Sequence, residues 1–96
     1  MSTESSELTS QWYVYMIQTK KGALYTGITT DIERRYSEHL AMFNGENNAK
    51  GAKYFRSNEP IAVVYREECE SRSIASKRES ELKKLPRQKK LSLCEQ

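Results

Sequence analysis

A run of aromatic and β-branched residues near the start of the chain most constrains the fold. Segment 12–17 (WYVYMI) favours a β-strand, segment 19–22 (TKKG) is turn-like, and segment 23–26 (ALYT) is extended again. Together they predict a β-hairpin. With an odd loop, for example residues 18–22, Tyr15 lies directly opposite Tyr25 and both rings project from one face; an even loop would separate them.

The rest of the chain alternates helical and extended patterns. After a cap at Thr30 or Asp31, an apolar stripe recurs at helical spacing and comprises Ile32, Tyr36, Leu40 and Phe43. From Ser73 onward a second series has helical spacing, with Ile74, Arg78, Leu82 and Leu85. Segment 61–65 after Pro60 predicts a third strand that closes or centres the sheet, and Pro86 allows a last short helix through Leu93. The order β-β-α-β-α-α predicts an α+β fold: a small three-stranded antiparallel, possibly mixed, sheet flanked by helices.

Length and composition limit the organisation of the chain. We expect residues 1–10, rich in Ser, Thr and Glu, to form a disordered tail, and residues 11–96 to form a single domain, because 96 residues support one core. The absence of a long apolar run or signal-like segment predicts a cytoplasmic protein without membrane association. Cys69 and Cys94, with His39 as the one histidine, do not have the spacing of a zinc site.

Two stretches of the sequence are locally basic although the net charge is only +3. Between Arg72 and Lys90 eight basic residues accompany only Glu79 and Glu81, and a second patch spans residues 50–56 with two aromatic rings between its cations. Both stretches suit a polyanion. A solvated helix face and a polar loop would look the same, so charge alone does not decide the function.

On the first predicted helix, Arg35 and His39 are four residues apart and flank or lie on the apolar stripe, so both point toward the sheet. In order along the chain, the motifs are Val14-Tyr15-Met16, Tyr25-Thr26-Gly27, Asp31-Ile32-Glu33-Arg34-Arg35, His39, Lys50-Gly51-Ala52-Lys53-Tyr54, and the helix from Lys77 to Leu85. This series resembles the GIY-YIG nuclease family, in particular its small bacterial stand-alone members. The likeness extends over nearly all of residues 12–90.

The resemblance implies a three-stranded antiparallel sheet and cleavage of DNA phosphodiester bonds with a divalent metal, Mg²⁺ or Mn²⁺. It implies a catalytic set of Tyr15, Tyr25, Arg35, His39 and Glu79, with Glu79 as the metal ligand. We expect DNA to contact a second set: Gly27, Lys50, Lys53, Tyr54, Arg56, Lys77 and Arg78. These roles agree with the chemistry, since Arg35 and a cation can neutralise charge on the reacting phosphate, and Mg²⁺ needs only one or two protein carboxylates.

Several alternatives remain open at this stage. The base that deprotonates water is either tyrosine or His39, and His39 can equally be a relay or a hydrogen-bond donor. Glu79 is preferred to Glu81 because it shares a helix face with Ala75 and Leu82. We expect recognition of branched or otherwise structured DNA, with a role in DNA repair or recombination and a possible protein partner supplying specificity. The rival function is a nucleic-acid-binding or partner-dependent module with weak or no catalysis, and a protein-interaction domain ranks last.

Overall fold

A computed structural model describes residues 11–95 and has an α+β architecture, a three-stranded antiparallel sheet with three helices. The predicted fold class and the order β-β-α-β-α-α are confirmed, whereas the predicted tail, residues 1–10, lies outside the described residues. The elements are β1 (Trp12–Thr19), β2 (Leu24–Thr29), α1 (Ile32–Phe43), a short 3-10 helix (Lys53–Arg56), β3 (Pro60–Cys69), α2 (Arg72–Lys83) and α3 (Arg87–Cys94). Within residues 11–95, no helix is long and apolar enough to cross a membrane.

The hairpin forms, but its register differs by two residues from the predicted one. Tyr15 lies opposite Gly27, and Tyr25 lies opposite Ile17, because the tight turn uses Gly22 at a positive φ of 88° and is closed by Thr19. The expectation that Tyr15 faces Tyr25 directly was wrong. A shift of two residues keeps both side chains on one face, so the predicted common face is confirmed, with the ring centroids 6.4 Å apart.

Strand β1 lies in the centre of the sheet, in the order β2-β1-β3. The third strand is therefore a closing edge strand and not a central one, and it extends to Cys69, beyond the predicted end at Tyr65. Its side chains are mostly half-buried, as expected for an edge.

The two faces of the sheet have separate hydrophobic clusters. On one face Val14 packs with Ala75 and Leu82 of α2, and on the other Tyr15 and Ile17 pack with residues of α1 and the 3-10 helix. Alternation along β1 produces this division, since odd residues face α1 and even residues face α2.

All three predicted helices form, with two errors in the apolar residues predicted for α1 and α2. Asp31 caps α1 by accepting a hydrogen bond from the Arg34 amide, one of the two caps predicted. Phe43 at the end of α1 is 36% exposed and Ile74 in the first turn of α2 is 48% exposed, so neither belongs to the core. Each lies near a helix end, beyond the area that the small sheet covers.

Candidate active site

Tyr15 and His39 form a buried hydrogen bond at the centre of the α1 face. The Tyr15 hydroxyl lies 2.9 Å from His39 Nε2, and both side chains are almost fully buried. On the other side of the ring, the backbone N–H of Ala52 donates to His39 Nδ1 over 3.1 Å. Because a backbone N–H can only donate, Nδ1 carries a lone pair, and the proton of neutral His39 is on Nε2. His39 therefore donates to the Tyr15 oxygen.

Burial favours the neutral form of His39. Removal from water, together with the nearby charge of Arg35, lowers the pKa of His39 to about 4. At neutral pH the ring is uncharged and the nitrogen facing Tyr15 already holds its proton. His39 consequently cannot accept a proton from Tyr15, although it can stabilise a negative charge on the Tyr15 oxygen.

The segment Lys50–Ala52 orients two predicted catalytic side chains with backbone atoms. The Lys50 carbonyl accepts a hydrogen bond from Arg35 Nη1 over 2.9 Å, two residues before the Ala52 amide that binds His39. Between them, Gly51 passes so close to α1 that a Cβ there would lie 2.7 Å from His39 Cα. A side chain at Gly51 would push this segment away from both residues.

Arg35 is held by α1 as well as by this segment. Its Nη1 also donates to Glu38 Oε1 over 2.7 Å, and its side chain remains 28% exposed. An ion pair of this kind on a helix surface needs no catalytic role. Although burial opposes the charged form, the hydrogen bond to Glu38 and the neighbouring Tyr15 together raise the pKa of Arg35. Arg35 is thus a permanent cation facing Tyr15.

Aromatic rings enclose the Tyr15–His39 pair. Phe55 is fully buried with its centroid 4.3 Å from the His39 ring, and Tyr25 packs edge-on to both His39 and Phe55. Tyr54 stacks on Tyr25 with the ring centroids 5.3 Å apart and is 37% exposed. Tyr25 is half-buried and its hydroxyl has no hydrogen-bond partner among residues 11–95. Tyr25 is therefore the more accessible of the two motif phenols.

The predicted catalytic residues all act on Tyr15. Burial raises the pKa of Tyr15 well above its ordinary value; the charges of Tyr25 and Glu79 act in the same direction and Arg35 in the opposite one. Glu79 exerts this influence from α2, which packs across β2 and β1 on the other face of the sheet. A meeting of its carboxylate with the phenols at the edge formed by β2 stays a prediction.

Gly27 of β2 has no side chain at the point where the Tyr15 ring approaches the strand. A Cβ at Gly27 would lie 2.6 Å from the Tyr15 hydroxyl oxygen, so this position must be glycine if Tyr15 is to keep its place. The structure thus gives a packing reason for the glycine of the second motif. Contact between its backbone and a phosphate stays a prediction.

The Glu79 carboxylate is chemically suited to a hard divalent cation. Its side chain is 22% exposed and its Oε2 lies 3.1 Å from Lys83 Nζ. No group of three His, Cys, Asp or Glu side chains occurs in the part of the chain that the structure describes. Mg²⁺ and Mn²⁺ accept carboxylate oxygen, and Mg²⁺ is held by one or two carboxylates and several waters, so a lone Glu79 fits such an ion.

The residues predicted to contact DNA divide into exposed and engaged groups. Lys50, Lys53, Arg56 and Lys77 are exposed. Arg78, in contrast, donates from Nε to both carboxylate oxygens of Glu67 and from Nη1 to Glu81. Arg78 links α2 to β3, so its predicted contact with DNA competes with an ion pair inside the protein in which both Glu67 oxygens share one Nε–H.

Sequence reasoning missed Gly51 and Ala52. Ala52 contributes only its backbone N–H and Gly51 only its lack of a side chain. A search of the sequence for reactive or charged side chains detects neither property. The one available signal in the sequence was Gly51 itself, three residues before Tyr54, because a glycine can mark a close approach of the backbone to its neighbours.

Comparison with known proteins defines the class first. The sequence profile described as the GIY-YIG catalytic domain matches residues 11–92. The chain belongs to the GIY-YIG catalytic domain family, and its fold is of the nuclease type.

Individual relatives are similar over most of their length. A UPF0213 protein of Desulfotalea psychrophila is 50% identical over 82 residues, covering 85% of this chain and 69% of the relative. A UPF0213 protein of Staphylococcus saprophyticus is 44% identical, covering 84% and 90%. The solution NMR structure of a UPF0213 protein from Bacillus halodurans is 35% identical and covers 86% of this chain and 81% of that one, with a TM-score of 0.50.

Proposed function

We propose that this protein hydrolyses phosphodiester bonds of DNA at the site formed by Tyr15, Tyr25, Arg35, His39 and Glu79, with Mg²⁺ or Mn²⁺ as cofactor. The observation that supports this most is the convergence on Tyr15: a histidine hydrogen bond and an arginine from α1, and the charge of a carboxylate on α2, all influence one phenol. Membership of the GIY-YIG family supports the same chemistry.

Arg35 supplies a fixed positive charge for the reacting phosphate. Attack on a phosphodiester increases the negative charge on its oxygens, and a cation that is already oriented stabilises that charge without rearrangement. The Lys50 carbonyl and Glu38 hold Nη1, which leaves the other guanidinium nitrogens for the substrate. A divalent cation held by Glu79 supplies Lewis-acid stabilisation of the phosphate and leaving oxygens when bound.

The two tyrosines have different parts in this proposal. Tyr25, half-buried and without a hydrogen-bond partner among the described residues, contacts the attacking water. Tyr15, buried and bound by His39 Nε2–H, orients the phosphate from beneath and does not take the proton. A tyrosine accepts a proton from water only as phenolate.

Four exposed cations suit sequence-independent contacts with the DNA backbone. Lys50, Lys53, Arg56 and Lys77 carry this role, and Tyr54 offers a partly exposed ring next to Tyr25. The proposal extends to structured DNA as substrate, a role in repair or recombination, a protein partner that adds specificity, and action in the cytoplasm.

One contact favours the alternative of a binding module without catalysis. Lys83 Nζ occupies one Glu79 oxygen and would compete with a cation for it. Lys83 is 54% exposed, and ion pairs of exposed lysines contribute about 0–1 kcal/mol, so a divalent cation displaces it readily. The enzyme function is therefore the better supported of the two.

Cleavage of branched DNA tests the proposal. Purified wild-type protein should nick a labelled branched duplex with Mg²⁺ or Mn²⁺ and stop when EDTA is added. Glu79→Gln should lose about 10²-fold or more in rate while still binding DNA. Glu81→Gln is the matched control, since it removes an equal charge two residues away, and it should cleave normally. Binding without cleavage under all metals, or equal losses in both variants, would support the module.

A further inference from the structure

A cleft of about 250 Å³ lies beside the proposed active site and is strongly basic. Its walls are the end of β2, the start of α1 and the start of α2, and it shares Arg35 with that site. The charged side chains that line it are Arg34, Arg35, Arg72 and Glu38, a formal charge of +2. The sequence analysis assigned no role to Arg34 or to Trp12, which also lines the cleft.

The arginines of this cleft are incompletely neutralised. Glu38 is the only acid in the lining, and it serves both Arg35 at 2.7 Å and Arg34 at 3.7 Å. Arg72 forms no ion pair within residues 11–95; its guanidinium carbon lies 5.7 Å from the centroid of the Trp12 ring. A cation–π contact of this kind orients a guanidinium without cancelling its charge.

The positive lining distinguishes this cleft from four others on the surface of residues 11–95. Those four have neutral or acidic linings; the most acidic of them combines Asp31, Glu33 and Glu68 with a single arginine. A polyanion is therefore attracted to the one cleft that also opens next to Arg35.

We propose that this cleft is a binding subsite for the DNA backbone adjacent to the cleaved bond, in which Arg34 and Arg72 each contact a phosphate and Trp12 positions Arg72. The proposal rests on the proposed function for the identity of the polyanion. It directs the DNA from Arg35 across the β2 edge toward the start of α2.

Salt dependence of binding tests the subsite without requiring cleavage. Affinity for a labelled branched duplex is measured against NaCl concentration in EDTA, in the Glu79→Gln background. Each phosphate contact contributes about 0.9 to the slope of log affinity against log salt for duplex DNA, so Arg34→Gln and Arg72→Gln should each reduce the slope by about 0.9. Arg66→Gln is the matched control, because Arg66 is 54% exposed against 56% for Arg34, and each pairs loosely with one glutamate.

Trp12 gives an independent signal because it is the only tryptophan in the chain. Unlabelled duplex should change its fluorescence, and the change should disappear in the Arg34→Gln/Arg72→Gln variant. Circular dichroism checks folding, and Arg34→Gln alone removes a charge without touching Trp12. Unchanged slopes in folded variants, or an equal decrease in Arg66→Gln, overturn the subsite. If the wild type cleaves nothing but the slopes fall as expected, the subsite stands and only the proposed nuclease activity fails.

Discussion

His39 has both ring nitrogens committed to neighbours, and this restricts its chemistry. The Ala52 amide fixes the proton on Nε2, and Nε2 donates to Tyr15. A histidine in this state orients a phenol and stabilises its charge, whereas a general base needs a free lone pair at the reacting side. The donor role is therefore favoured among those the sequence left open.

The tautomer of His39 can be observed directly. Because the chain has a single histidine, ¹⁵N spectra of untagged protein show one imidazole. We expect the shifts of a neutral ring protonated at Nε2 at pH 7, with no titration down to about pH 5, since the pKa of His39 is lowered to about 4. Shifts of an imidazolium, or of the Nδ1–H tautomer, would contradict the hydrogen-bond assignment.

The same lowered pKa makes the free energy of unfolding depend on pH. Unfolded chains bind a proton at His39 below about pH 6.5, while the folded protein does so only near pH 4. Acid therefore favours the unfolded state between these values, with a slope of up to about 1.4 kcal/mol per pH unit, and this group has no effect above pH 6.5. Urea titrations at a series of pH values give the free energy of unfolding of wild type and His39→Gln. Its change per pH unit should differ between the two proteins only in that window, and an identical pH dependence would refute the buried neutral ring.

At the scale of elements, the segment Lys50–Ala52 fixes the site from outside α1. Gly51→Ala introduces a methyl group against the α1 backbone and displaces the Ala52 amide from His39. We expect the ¹⁵N shifts of His39 to change toward a mixture of tautomers, with a fall in cleavage. Gly45→Ala is the control for replacing a loop glycine, since a Cβ there contacts nothing within 4 Å, although its φ of 72° adds some strain. An unaltered His39 spectrum in Gly51→Ala would show that this segment does not set the tautomer.

Arg78 joins α2 to β3, so we expect its replacement to lower stability, whereas replacement of its neighbour Lys77 should not. Arg78→Met removes the charged hydrogen bond that Nε shares between the two Glu67 oxygens, so chemical denaturation should show a loss of about 1–2 kcal/mol. Lys77→Met lies on the exposed side of α2 and should leave stability unchanged while weakening DNA binding. A stable Arg78→Met with impaired DNA binding would restore the role that the sequence analysis gave to Arg78.

Element types and order followed from the sequence because the apolar periods differ clearly between strands and helices. The register of the hairpin did not, since it depends on which residues form the turn, and Gly22 moves the pairing by two positions. The edge position of β3 was equally hidden, because an apolar strand such as segment 61–65 suits an edge or a centre. Side chains of the site were predictable by type, but the backbone donors that orient them have no side-chain signature.

For the molecule as a whole, the site joins the two faces of the sheet. Tyr15, Tyr25, Arg35 and His39 belong to the α1 face, while Glu79 comes from α2 on the opposite face. In the proposed site they meet at the edge formed by β2, where the missing side chain of Gly27 leaves room for the Tyr15 hydroxyl. An edge of this kind exposes the reacting groups to a long polymer, which an enclosed cavity would exclude.

A double-mutant cycle on Arg35 and Glu79 tests the central claim most directly, because the claim is that both act in one site. Single-turnover cleavage of a branched duplex is measured for wild type, Arg35→Gln, Glu79→Gln and the double variant. We predict that each single change costs about 10²–10³-fold and that the double variant is scarcely slower than the worse single one, since groups that act as a unit lose their effect together. A rate loss in the double variant equal to the product of the two single losses, or full activity in either single variant, would contradict a shared site.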